Sequence, residues 1–371
     1  MPNRRINRPT AIAVALLMAA GAGAVPLQTT VASAAEQTSE AVRGWTVELN
    51  RSALRKKGQL VRSRRTFETV GVTWARGDDP GVELRTLSDG TWSPWQDADE
   101  VTMSRNPGTE PLWVGPSEGV RVRVAQWRKG LELVMVDPGA ETEQEGSAQA
   151  ARMSAAGETT TVVARKRRTH APMPKLHLRS AWGANEKLRD GDPVYLDRIK
   201  MAHVHHTAGK NAYSRAEVPG IIRGMYWYHT KQLGWSDIGY NFLIDRFGRI
   251  WVGRAGGFRK RVRGAHTLGF NHASFGVAAI GNYEEMRTNE RVKGAYTRLI
   301  AWKLDREGRN PAGRVTIWSQ GSDRYPEGTR VRLPAILSHR RTNQTACPGE
   351  NLHRFVPRLR ERAQNRADDW D

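Results

Sequence analysis

The feature that most constrains this chain is a break in its pattern. Residues 139–175 are rich in Glu, Thr, Ala, Ser and Gln, contain the basic run Arg165, Lys166, Arg167, Arg168, and then pass Pro172 and Pro174. Such a segment lacks the apolar side chains needed for a core, so it reads as a flexible linker. It divides a chain of 371 residues, long for one core, into two parts that follow different periodicities.

Before the linker the period is two. Val70, Val72 and Trp74 alternate with Gly71 and Thr73, then Val82, Leu84 and Thr86 follow, and Asp89-Gly90 supplies a hairpin turn ahead of Trp92 and Trp95. Val120, Val122 and Val124 alternate with Arg121 and Arg123, and Leu131, Leu133 and Met135 close the series. This predicts a small all-β domain over residues 44–138, a sandwich or a barrel. Six of the thirteen Trp residues fall here (Trp45, Trp74, Trp92, Trp95, Trp113, Trp127). Trp faces stack on sugar rings, but core packing is the commoner use and is favoured here.

After the linker the pattern turns mixed. Strands are predicted over residues 199–207, 240–245, 250–254 and 275–280, the middle two joined by a tight turn at Phe247-Gly248. Ser214 with Glu217 three residues on is a capping box, and Val218, Ile221, Ile222, Met225 and His229 recur at helical spacing behind it. Val292, Ala295, Leu299, Ile300 and Trp302 mark a second helix, and Leu352, Phe355, Val356, Leu359 and Ala363 a third. An α/β domain over residues 176–366, a central mixed sheet flanked by helices, is the expected architecture.

The N-terminus predicts export. Arg4, Arg5 and Arg8 precede an apolar stretch from Ala11 to Val25, and Ala32-Ser33-Ala34 offers a cleavage site, so residues 1–34 read as a signal peptide. The stretch is too short and too rich in Gly to remain as a membrane span. The formal charge is +20, and the leader carries three Arg and no acid, so the mature chain keeps +17. Outside a bacterium the abundant polyanions belong to the wall, so attraction to peptidoglycan and anionic wall polymers is the natural reading, set against an Arg-rich but merely solvated surface. Export argues against nucleic acid as the partner. Cys347 is the single cysteine, which leaves it incidental, intermolecular, reactive or a ligand.

Three side chains combine into a site. His205 and His206 are neighbours in a strand and point to opposite faces, so one of them faces any given site. His339 and Cys347 are separated by Arg340-Arg341-Thr342-Asn343-Gln344-Thr345-Ala346, and they meet only if that segment loops back. Taken singly, each signal is weak. Two imidazoles and a thiolate together leave a tetrahedral zinc one open position, as a catalytic centre requires. Cys347 also stands just before Pro348, Gly349 and the third helix, whose positive end favours a thiolate.

These segments resemble the peptidoglycan recognition proteins and the related N-acetylmuramoyl-L-alanine amidases. The likeness covers about residues 176–365 through four ordered motifs. They are Val204-His205-His206-Thr207-Ala208, the stretch from Trp235 to Phe242, Gly264-Ala265-His266-Thr267 with Gly269-Phe270-Asn271, and His339 with Thr345-Ala346-Cys347-Pro348-Gly349. The resemblance implies His205, His339 and Cys347 as ligands of Zn2+, with His206 turned to the core. It implies Tyr240, helped by Thr345, as donor to the developing oxyanion of an amide hydrolysis. It also implies Trp182, His229, Trp235, Arg254 and His266 as groove residues, each of which packing would equally explain. The pattern departs at Ser338, where the family has glycine, and at Arg341, where it has an acid. The expected activity is cleavage of the bond between N-acetylmuramic acid and L-alanine. The rival is a recognition protein that binds without cutting, and such members usually lack a ligand, commonly the cysteine.

Overall fold

The computed structural model describes residues 41–54, 58–101, 106–139 and 170–370, within one compact unit spanning Ser39–Asp371. The leader at 1–34 and the linker residues 140–169 lie outside the described residues.

The first part is one antiparallel sheet. Its strands are β1 (Arg43–Glu48), β2 (Gln59–Thr73), β3 (Val82–Ser88), β4 (Thr91–Trp92), β5 (Gln96–Ala98), β6 (Leu112–Val124) and β7 (Glu132–Asp137). They pair in the order β1-β7-β2-β6-β3-β4, with β5 on β3. A sandwich or a barrel was expected here; the described strands pair into one sheet, in which the long strand β2 carries register shifts against β6 between Arg62 and Phe67 and between Phe67 and Thr69. Bulges bend a strand, and so one sheet folds over a core that takes Val61, Phe67, Val70, Leu84, Val122 and Leu133 from strands along its length. The hairpin forms at Asp89-Gly90, with φ of 48° and 72°, where two positive values are what the turn needs. Trp74 and Trp113 are buried, whereas Trp92 and Trp95 lie half-buried against the guanidinium groups of Arg85, Arg121 and Arg123.

The second part is built on a mixed sheet in the order β15-β9-β12-β10-β11-β8. The strands are β8 (Leu176–His177), β9 (Met201–His206), β10 (Phe242–Ile244), β11 (Ile250–Val252), β12 (Ser274–Ala279) and β15 (Ile336–Ser338). A separate hairpin pairs β13 (Arg314–Trp318) with β14 (Arg330–Pro334). Alternation along β9 sends Ala202 and Val204 into the core shared with the helices Glu290–Asp305 and Val356–Asp368. The helix Glu217–Trp227 covers another core with Ala278, the strand partner of His205. The capping box forms at its start, Ser214 N–H donating to Glu217 Oε2 at 2.6 Å and Glu217 N–H to Ser214 Oγ at 3.3 Å. The third predicted helix is interrupted: a turn at Glu350–His353 is followed by the helix Val356–Asp368, with Phe355 at the junction.

The two parts share apolar contacts. Trp113 of β6 belongs to the cluster of Tyr240, Ile221 and Trp182, while Val134 and Val136 of β7 pack with Tyr228 and Leu233. Backbone joins them as well, Lys210 N–H donating to Trp113 C=O at 2.7 Å.

Candidate metal centre

Parallel pairing brings the first two candidate ligands together. Ser338 at the end of β15 lies opposite Val204 of β9, so the residues that follow them, His339 just past β15 and His205 on β9, emerge side by side with ring centroids 4.6 Å apart. A single turn, His339–Arg341, starts the return toward the thiol, and Arg340 N–H donates to Cys347 C=O at 3.0 Å. The ligand atoms of His205, His339 and Cys347 lie within 4.8 Å of one another. Cys347 Sγ is 3.6 Å from His205 Nδ1.

The surroundings favour a cation between these atoms. Burial pushes His205 well below its usual range, with His339 adding to the effect, and His339 itself falls to about 4. Burial also pushes the Cys347 thiol well above its usual range. A thiolate in such a dry pocket is stable only with positive charge beside it, and two neutral imidazoles are what a metal needs. His339 Nε2 is buried with no hydrogen-bond partner. Two nitrogens and a sulfur suit zinc, so the residues present fit that ion.

The support of the thiol corrects one expectation. The helix end behind Cys347 does not serve it, because Glu350 N–H donates to Glu284 Oε2 at 2.8 Å and Asn351 N–H to Tyr283 C=O at 3.1 Å. The donor at the sulfur is His206 N–H, at 3.4 Å. The His206 ring turns the other way, and its Nδ1 accepts from Tyr283 N–H at 3.1 Å.

His266 and Trp182 do not line a groove. His266 is buried behind His205, its Nδ1 3.1 Å from His205 Nε2. A metal at His205 Nδ1 requires the proton on Nε2, and His266 Nδ1 is placed to accept it, fixing the tautomer. A side chain at Gly264 or Gly276 would run into the His266 ring, so both glycines make room for it. Trp182 is fully buried and donates to Val252 C=O at 2.8 Å. His266 sits in a recognisable motif and Trp182 in none, and the neighbours of both come from other elements. The departure at Ser338 has a local use, its Oγ lying 2.9 Å from His353 Nδ1, whereas Arg341 is exposed.

Of the remaining candidates, Trp235 and Arg254 border open space and His229 does not. Trp235, Ser236, Arg254, Arg263, Ala265 and Asn271 line a cleft of about 410 Å³. Arg254 donates to Ser236 Oγ at 2.7 Å and Ile238 C=O at 3.1 Å. His229, fully buried, stacks on Trp235 at 4.5 Å and accepts Gly239 N–H at Nδ1.

Tyr240 lies with its ring 5.4 Å from that of His205, and burial above all raises its phenol well above the usual range. Thr345 Oγ1 accepts Cys347 N–H at 3.0 Å. Each hydroxyl also meets a carboxylate from the β domain: Tyr240 OH lies 3.4 Å from Glu110 Oε2, and Thr345 Oγ1 lies 3.4 Å from Asp99 Oδ2. Sequence reasoning missed both acids, since no local pattern around residue 99 or 110 marks them.

Comparison with known proteins gives the family. Residues 195–350 match the N-acetylmuramoyl-L-alanine amidase family, and residues 25–168 match the family described as Rv3811 N-terminal galactose-binding domain-like. Peptidoglycan-recognition protein SC2 of Drosophila melanogaster is 30% identical over 174 residues, covering 47% of this chain and 80% of that protein. Peptidoglycan-recognition protein LE of the same fly is 38% identical over 179 residues, 48% of this chain and 44% of that protein. An N-acetylmuramoyl-L-alanine amidase of Homo sapiens is 32% identical over 182 residues, 48% of this chain and 27% of that protein. The solved structure of wild-type Drosophila PGRP-LB covers 49% of this chain and 92% of that one, at 27% identity and a TM-score of 0.39. The chain belongs to the family of peptidoglycan recognition proteins and N-acetylmuramoyl-L-alanine amidases, with an all-β domain ahead of the family domain.

Proposed function

We propose that this protein is an exported zinc amidase that hydrolyses the amide between the lactyl group of N-acetylmuramic acid and L-alanine in peptidoglycan. The observation that carries the reading is the convergence of His205, His339 and Cys347, whose ligand atoms lie within 4.8 Å in a pocket where the imidazoles are held neutral. A protein that only recognises peptidoglycan has no need of that set.

Zinc, when bound, polarises the scissile carbonyl and makes water a better nucleophile. His205 and His339 would hold it through nitrogen and Cys347 through sulfur, with His266 orienting His205. The Tyr240 phenol, kept protonated by burial, donates to the oxygen that gains charge as the carbonyl is attacked. Thr345 is the second donor, and the cleft beside Trp235 and Arg254 is the path for the stem peptide. Export rests on the leader at residues 1–34, and among the described residues no helix is long and apolar enough to cross a membrane. The +17 charge of the mature chain draws it to the wall.

The test is mass spectrometry of purified peptidoglycan after incubation with the protein and zinc. Free stem peptides beginning with L-alanine, together with unbroken glycan strands, are the expected products. Binding without release of peptide would leave a recognition protein.

A further inference from the structure

The carboxylates at the metal centre come from the wrong domain. Glu110 precedes β6, and its Oε2 reaches 3.4 Å from Tyr240 OH and 3.9 Å from His229 Nε2, a fully buried nitrogen with no hydrogen-bond partner. Asp99 follows β5, and its carbonyl accepts Glu110 N–H at 2.7 Å, which holds the two acids side by side.

These acids are not on a lid. Trp113, three residues beyond Glu110, is 3% exposed in one cluster with Tyr240, and its carbonyl is bonded to the backbone at Lys210. Gln96 Nε2 donates to Ala208 C=O, Asn106 Nδ2 to Gln232 C=O, and Arg223 Nε to Pro138 C=O. Glycines let the surfaces touch: a side chain at Gly44 would strike Trp227, one at Gly71 would strike Tyr228, and one at Gly209 would strike Trp113. An interface fitted this closely is a shared core, so the β domain is a fixed wall of the centre.

Amide hydrolysis needs a group that takes a proton from the attacking water and gives one to the departing nitrogen. His205 and His339 are committed to the metal and His266 to His205, His229 is fully buried with its Nε2 behind Glu110, and Tyr240 and Thr345 are hydroxyls, poor bases at neutral pH. Resting on the amidase reading, we propose that Glu110 is the proton carrier of the reaction, a catalytic residue supplied by the β domain. Water gives one proton to Glu110 Oε2 as its oxygen bonds to the lactyl carbonyl carbon. The C–N bond then breaks, the same proton passes from Glu110 to the departing nitrogen, and the products are a lactyl carboxyl group and the free amine of L-alanine. Glu110 returns to a carboxylate. Asp99 is a positioning residue that holds Glu110 through its backbone carbonyl.

The test uses the full chain and three measurements: turnover of a soluble muropeptide, zinc content, and Kd of the metal-depleted protein for the same muropeptide. Glu110→Gln should lower kcat by about 10²–10⁴-fold while zinc content and Kd stay at wild-type values, because the amide keeps the shape and loses the base. Glu110→Asp, which keeps a carboxylate, should recover part of that loss and guards against a folding defect in the first variant. Unchanged kcat in Glu110→Gln would overturn the proposal, and so would faster turnover with tighter binding, which would make Glu110 a plug competing with substrate for Tyr240. Failure of the amidase reading looks different: the wild-type chain itself then binds the muropeptide and leaves it whole, and the proposal falls with it.

Discussion

The three side chains that suit a metal and the two carboxylates beside them reach one place by unlike routes. His205 stands on β9, His339 directly follows the adjacent parallel strand β15, and Cys347 comes back through a short turn, so the triad is built from one sheet and the loop after it. Glu110 and Asp99 arrive from 130 and 246 residues away from the hydroxyls they meet, carried by the docking of a separate sheet. A centre set by strand register tolerates change in the docked domain, whereas one that depends on docking fails when the interface loosens. The predictions below separate these cases.

The largest effect belongs to the triad. Cys347→Ser should abolish zinc binding and turnover, because a neutral hydroxyl is a much poorer ligand than a thiolate. Metal analysis of the purified variant decides it, and full zinc occupancy would remove Cys347 from the ligand set. Tyr240→Phe should keep zinc and lose about a hundredfold in kcat, as for one oxyanion donor elsewhere. Turnover equal to wild type would reduce Tyr240 to packing.

The docking comes next. Gly71→Ala places a methyl against the fully buried Tyr228 ring, which has nowhere to move. Overpacking of this kind costs about 1–3 kcal/mol. Thermal unfolding should shift down by several degrees, and turnover should fall while zinc content holds. If turnover holds as well, the β domain is a neighbour of the centre without a part in it.

The smallest effect is one of pH. Glu68 of β2 lies within electrostatic reach of Glu217 and Arg223, and burial first, then Asp137 and Glu217, push its carboxyl from 4.5 to about 7. A folded-state value above the unfolded one means that stability is fully present below pH 4.5 and is lost as pH rises through about 7. Glu68→Gln should therefore raise the melting temperature at pH 8 and leave it unchanged at pH 4.5. After discounting for partial exposure the gain is about 1 kcal/mol, or ~2–4 °C. An equal shift at both pH values would mean that the charge of Glu68 is not the cause.

Much of the fold was legible because its signals are local. Asp89-Gly90 makes its turn through two positive φ values, and Ser214 and Glu217 cap their helix, since both devices act within four residues. The strands β9 and β12 were visible in their apolar runs. The hairpin of β13 and β14 was not, because charged Arg314, Arg330 and Arg332 dilute the alternation. The third helix was read as continuous because Leu352, Phe355 and Val356 keep helical spacing across its break.

By itself the sequence determined the two kinds of domain, the order of the motifs and the chemical types of the triad, because periodicity and motif order are written in neighbouring residues. Tertiary structure decided which partners those residues have: His266 behind His205, the His206 amide at the thiol, and Glu110 with Asp99 across the domain interface. Packing between surfaces far apart in the chain depends on shape, such as the room that Gly44 and Gly71 leave for Trp227 and Tyr228, and that complementarity leaves no periodic trace in either segment.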